Sequence, residues 1–129
     1  MNYYDSSNLD RLPELIRLAP QASKTFLAFE NEIYHDLNAL PLKTKELIAL
    51  AVAHVTGCPY CIDVHAQKLK KLGGTREEAF EAVLVATSTR AGAILSHATH
   101  FLHSFDEEEG NGREKTEETR ASGGPECFC

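Results

Sequence analysis

Two cysteines three residues apart, Cys58 and Cys61, are followed four residues later by a histidine, His65. A thiol pair at this spacing can close a small disulfide or hold a metal. An imidazole beside it can move a proton for either sulfur. A helix advances about 100° per residue, so a helix opening at Cys58 sets Cys61 about 60° and His65 about 20° away, on one face. The thiolate is the reactive form of cysteine. The first turn of a helix favours it through the positive end of the dipole and its free N–H groups. An apolar run, Leu47 to Val55, leads into the pair and begins beside a lone acidic residue, Glu46. Buried there, Glu46 is placed to be the next proton carrier after His65. Two thiols, a base and an acid are what thiol–disulfide exchange or peroxide reduction requires.

Two other readings compete. Zinc would need a fourth ligand, for which His54 stands beside Cys58, Cys61 and His65. Structural zinc sites usually draw on two separated ligand pairs, so the redox reading is preferred to a zinc- or metalloid-binding protein. His54, at the end of an apolar helix, reads more readily as a packed or supporting histidine. His97, His100 and His103 form a stripe at helical spacing, read as an interface or solvated face. No cofactor is called for.

The elements that must hold these residues are all helical. Asn8 is a candidate cap for a first helix with Leu9, Leu12, Leu15 and Ile16 as its apolar stripe, and Pro13 suits its first turn. Pro20 ends it and opens a second, over about 21–35, with Phe26, Leu27, Phe29, Ile33 and Tyr34 as its apolar positions; 36–41 reads as a loop. A third helix, Leu42 to Thr56, is apolar on nearly every side, which predicts a central buried element. Gly57 stops it, and Pro59 suits the first turn of a fourth helix running to Leu72. Lys68, Lys70 and Lys71 suit the negative end of that helix, and Gly73-Gly74 ends it. Thr75-Arg76-Glu77-Glu78 has the form of a capping box for a fifth helix. Ser88-Thr89 predicts a break, and a last helix runs over about 90–105. No run shows strand periodicity, so the fold class is all-α, a compact bundle of about six helices.

The chain has 129 residues, enough for one domain with a modest core. Its net charge of −6 is uneven, because 106–129 holds eight acidic and three basic residues. That segment has too little apolar content for a core, so the organisation reads as a helical domain, 1–105, and a disordered acidic tail, 106–129. There is no basic footprint for nucleic acid, no leader-like start and no run long enough for a bilayer. The expectation is a cytoplasmic protein without a membrane partner, where close cysteine pairs serve redox or metal chemistry. Cys127 and Cys129 close the tail and are read as incidental; the alternative is a tethered dithiol that reaches the first pair. An apolar third helix in so small a core also predicts a homo-oligomer.

The set Glu46, Cys58-Pro59-Tyr60-Cys61, His65, the capping box and Arg90-Ala91-Gly92 resembles the carboxymuconolactone decarboxylase superfamily. The chain looks most like its alkylhydroperoxidase D branch, including the peroxidase-like proteins associated with arsenosugar synthesis. The matching stretch is roughly Leu42 to His103. The resemblance implies an all-helical homo-trimer or homo-hexamer that reduces hydroperoxides or disulfides. It implies that Cys61 attacks the peroxide, that Cys58 resolves it, and that His65 and Glu46 relay protons. A lipoyl or thioredoxin-like dithiol would be the reductant. Mycobacterial members carry a histidine inside the cysteine pair, where this chain has Tyr60. The decarboxylase branch lacks the pair, so lactone decarboxylation is not expected.

Overall fold

A computed structural model describes the backbone of residues 4–109 and the side chains of 4–107. The described residues are helical with short connections and no strand, as the sequence periodicity requires. The tail cysteines Cys127 and Cys129, and the expected disorder of the tail, lie outside the described residues.

The chain enters through a 3-10 helix, Ser6–Arg11, followed by α1, Leu12–Leu18. Asn8 is not the cap. Asp5 takes that place, its carboxylate accepting from the Ser7 N–H at 3.0 Å, because the helical path begins a turn earlier than expected. α2 is Pro20–Asn31 and widens at its end into a single π-helical turn, Glu32–Asp36. The Leu37 N–H reaches the Glu32 carbonyl at 3.1 Å and closes that turn. Lys45 of the next helix donates to the carbonyls of Ile33 and Leu37, which ties the wide turn down.

α3, Leu42–Thr56, and α4, Pro59–Lys71, have the expected bounds and make the most extensive helix–helix packing in the chain. Gly57, with φ +69°, carries the reversal between them. The Cys58 N–H reaches the Ala53 carbonyl at 3.0 Å and the Gly57 N–H that of His54 at 3.3 Å, the two bonds of a Schellman ending. The same pair of bonds ends α4, from Gly74 to Leu69 and from Gly73 to Lys70, with Gly73 at φ +79°. Thr75 and Glu78 then exchange both capping-box bonds, at 3.1 and 2.9 Å. Lys43 adds an ion pair to Glu78 at 2.7 Å.

Beyond the cap, α5 runs Arg76–His97 without the expected break at Ser88-Thr89. Serine and threonine cost a helix interior only about 0.5 kcal/mol each, too little to stop a long helix, and α5 runs on through Gly92 as well. The chain bends at Ala98 instead, and α6 spans Thr99–Glu109, four residues past the expected end. The histidine stripe is therefore divided: His97 closes α5, and His100 and His103 lie on α6. All three are exposed, with the His97 and His100 rings 5.8 Å apart.

The described residues divide into two units between Ala86 and Thr87. The first holds the core: Leu50 and Ala53 of α3 and Leu69 of α4, with the Glu46 carboxylate beside them. α3 is not buried all round. Ile48, Val52 and Val55 are about half exposed, because no element of this unit covers that face. In the second unit Gly92 is buried, and Phe101 packs edge-on against Phe105 at 5.9 Å. Among the described residues no helix is long and apolar enough to cross a membrane.

Candidate active site

The α3–α4 reversal positions the chemistry. Cys58 is the N-cap of α4 rather than its first helical residue, with extended backbone at φ −100°, ψ 98°. That conformation folds its sulfur back over the first turn, where Sγ accepts the Cys61 N–H at 3.3 Å. A thiolate is a better acceptor than a thiol, so the helix start favours ionisation there. The two Sγ atoms lie 2.8 Å apart, within hydrogen-bond distance of one another. Their shared hydrogen bond splits the pair. It is the main cause that holds Cys58 below the ordinary thiol range, with the Cys61 N–H helping. The same bond, then burial, pushes Cys61 up. Cys58 is the favoured thiolate and Cys61 keeps the proton.

His65 stands one turn beyond Cys61, and its Nδ1 meets Glu46 Oε2 at 2.6 Å. Glu46 is only 2% exposed, so this contact is the partner that makes burying its carboxyl tolerable. A carboxylate accepting from Nδ1–H fixes the tautomer and leaves the Nε2 lone pair as the base. The sequence face argument thus holds for Cys61 and His65, and α3 delivers Glu46 to the other side of the ring.

An open apolar cavity of about 560 Å³ adjoins this group. Cys61 and His65 line it together with aliphatic residues that include Ile33, Leu37, Ile48 and Val52. Cys58 is not among its lining residues. A second cavity, of about 430 Å³, lies by Glu46 and is the more polar of the two, with Glu30, Asn31, His35, Lys68 and Lys71 around it beside Leu27, Leu42 and Leu72.

Tyr34 belongs to both cavities and was not singled out from the sequence. Its ring stacks on His65, with centroids 6.0 Å apart and planes 21° apart, and the Lys68 ammonium sits 5.6 Å from the ring centre. The sequence marks it only as an apolar position of the second helix, and the π turn that aims it has no sequence signature. Tyr60, inside the cysteine pair, turns outward from this group. Its hydroxyl accepts from Asn8 Nδ2 at 2.9 Å, and Tyr4 packs edge-on at 6.2 Å.

The alternative metal set is not assembled. His54 is exposed and its Nδ1 bonds back to the Leu50 carbonyl at 2.8 Å. Among the described residues no group of three or more His, Cys, Asp or Glu side chains is disposed to hold a metal ion.

An all-helical chain with a dithiol at a helix start and a Glu–His pair beside it defines a helical thiol-site protein. The chain belongs to the carboxymuconolactone decarboxylase family, whose pattern matches residues 20–104. It is 42% identical over 99 residues to uncharacterized protein 4 in the cox locus of Paracoccus denitrificans, covering 77% of this chain and 88% of that one. It is also similar to the alkyl hydroperoxide reductases AhpD of Streptomyces griseus (48% over 57 residues) and Mycobacteroides abscessus (39% over 54 residues). Those matches cover 44% and 42% of this chain but only 32% and 30% of the reductases, so the chain spans about a third of each. They support the AhpD-like branch of the family.

Proposed function

We propose that the protein is a thiol-dependent peroxidase that reduces hydroperoxides through Cys58 and Cys61, with His65 and Glu46 as its proton relay. The observation that carries this reading is the shared wall of the apolar cavity, where Cys61 and His65 stand together with Glu46 2.6 Å behind the imidazole. The names of the two AhpD relatives point the same way.

Cys61 is the attacking thiol because it lines the cavity and Cys58 does not. Its proton passes to His65 Nε2. The thiolate attacks the distal oxygen, the O–O bond breaks, and the alcohol leaves with the proton from His65. Cys61 is then a sulfenic acid. The Cys58 thiolate attacks its sulfur, the departing hydroxide takes a proton drawn from solvent through His65 and leaves as water, and the Cys58–Cys61 disulfide forms. An external dithiol, lipoyl or thioredoxin-like, restores both thiols by exchange. In the cytoplasm the reductant pool keeps the resting pair reduced. The active form is a homo-trimer or homo-hexamer. It needs no cofactor.

One observation favours the reverse order, with Cys58 as attacker: the shared hydrogen bond leaves Cys58 the favoured thiolate. Single-cysteine variants decide. Cys58→Ser should consume one equivalent of peroxide and stop as a sulfenic acid that dimedone captures, and Cys61→Ser should consume none. Capture at Cys58 alone would reverse the assignment, and wild-type rates in Cys61→Ser would end the peroxidase reading.

A further inference from the structure

We propose that Tyr34 is a positioning residue that divides the site, holding the His65 ring against Glu46 on the apolar side and leaving a polar pocket as the route by which protons reach Glu46. The catalytic consequence rests on the peroxidase reading; the placement of Tyr34 does not.

The geometry is specific to one side chain. Tyr34 is the residue of the π turn that both stacks on His65 and borders both cavities. A widened turn of this kind re-aims one side chain relative to an ordinary helix, and such turns gather at functional sites. Lys45 of α3 clamps the turn by donating to the carbonyls on either side of Tyr34, Ile33 and Leu37. The helix that carries Glu46 therefore also fixes the ring that packs on Glu46's partner.

The two cavities differ in what they can supply. The apolar one has no carboxylate on its wall; Cys61, His65 and Tyr34 stand there among aliphatic residues, and Lys45 is occupied by the two carbonyls. The polar one brings Glu30 and His35 from α2 and the π turn, Glu46 from α3, and Lys68 and Lys71 from α4. These groups can hold water beside the Glu46 carboxyl. Burial, then the charges of Glu46, Glu30 and Cys61, pushes the Tyr34 hydroxyl above its ordinary range. The hydroxyl thus keeps its proton, and the neutral ring forms the wall. Covering one face of the His65 imidazole limits its contact with water and so preserves the strength of the His65–Glu46 contact, since electrostatic interactions weaken as the local dielectric rises.

The test reads the His65 Nδ1 proton directly. In reduced, full-length protein, solvent exchange of that proton is followed by nitrogen-15 NMR in wild type, Tyr34→Phe, Tyr34→Leu and Asn31→Phe. Tyr34→Phe keeps the ring and should behave as wild type. Tyr34→Leu opens the wall and should exchange about tenfold faster, with kcat down about tenfold and KM for a small peroxide unchanged. Asn31→Phe plugs the polar pocket from an exposed position and should move exchange the other way, about tenfold slower, again with unchanged KM. Wild-type exchange in Tyr34→Leu, or in Asn31→Phe should the leucine variant fail to fold, would overturn the proposal. A wild-type protein that consumes no peroxide would instead remove the peroxidase reading, while the exchange rates still decide the role of Tyr34.

Discussion

Cys58 and Cys61 occupy unequal positions, and their inequality is measurable without knowing the substrate. Cys58 caps α4 and receives both the hydrogen bond between the two sulfurs and the Cys61 N–H, which lowers its pKa. A lowered pKa keeps the thiolate populated at lower pH, so iodoacetamide should label Cys58 before Cys61 as pH is raised from acid. Mass spectrometry of partly labelled protein checks the order; equal labelling would mean that the shared bond is absent in solution. Removing Cys58 removes the first cause that holds Cys61 up, so Cys58→Ala should shift the Cys61 labelling profile to lower pH. His65 is bound differently, through a buried carboxylate. Glu46→Gln preserves shape and replaces a charge-assisted contact by a neutral one. It should cost roughly 10²-fold in peroxide turnover, within the range for losing a positioned acid–base group.

Two glycines make the α3–α4 hairpin and its exit possible, for different reasons. Gly57 has open space where a Cβ would stand but a φ of +69°, so Gly57→Ala costs left-handed strain of about 1–2 kcal/mol. At Gly74 a Cβ would come 2.4 Å from Leu69 Cγ, and Leu69 is one of the few buried side chains. Gly74→Ala should therefore destabilise by about 1–3 kcal/mol through overpacking, and move Leu69 as well. Thr75→Ala, which deletes half of the capping box, should cost about 1 kcal/mol. Urea unfolding of the three variants tests the set. These ends were legible in the sequence because glycine, proline and capping-box chemistry are local. The bounds of α3 and α4 and the approach of Cys61 to His65 follow from such signals. The π turn, the Asp5 cap and the bend at Ala98 do not, since each depends on contacts or on small propensity differences along the chain. For that reason the sequence marks Tyr34 as an apolar helix position but not as the ring that stacks on His65: periodicity assigns a side, and an extra residue in a turn changes it.

Three apolar side chains are buried in the first unit, while Phe26, Phe80 and Phe105 each remain at least 60% exposed among the described residues. A chain of this length ordinarily buries well over half of the surface its unfolded form exposes. The uncovered face of α3, with Ile48, Val52 and Val55, lies on the helix that carries Glu46. Self-association should supply the missing core. Light scattering at micromolar concentration should return a multiple of the chain's mass, three or six chains on the proposed reading, and the melting temperature should rise with protein concentration. A monomer with a concentration-independent melt would remove this expectation. In the assembled form, changes such as Val52→Asp should dissociate subunits before they unfold them.

Glu46 to His65 is a run of twenty residues that holds the carboxylate, both thiols and the imidazole on one helical hairpin. On the proposed reading, a functional unit that short can be inherited as a block. A single duplication or exchange of gene segments can carry it whole into another helical protein, and no separate event is needed to reunite its parts. Tyr34 lies outside the block, on the preceding helical segment. A recipient would gain the thiols and their proton partners in one step, and would have to evolve its own ring against the imidazole. Among descendants of such transfers, the hairpin should change slowly as a piece, and the residue that faces its histidine should differ from lineage to lineage.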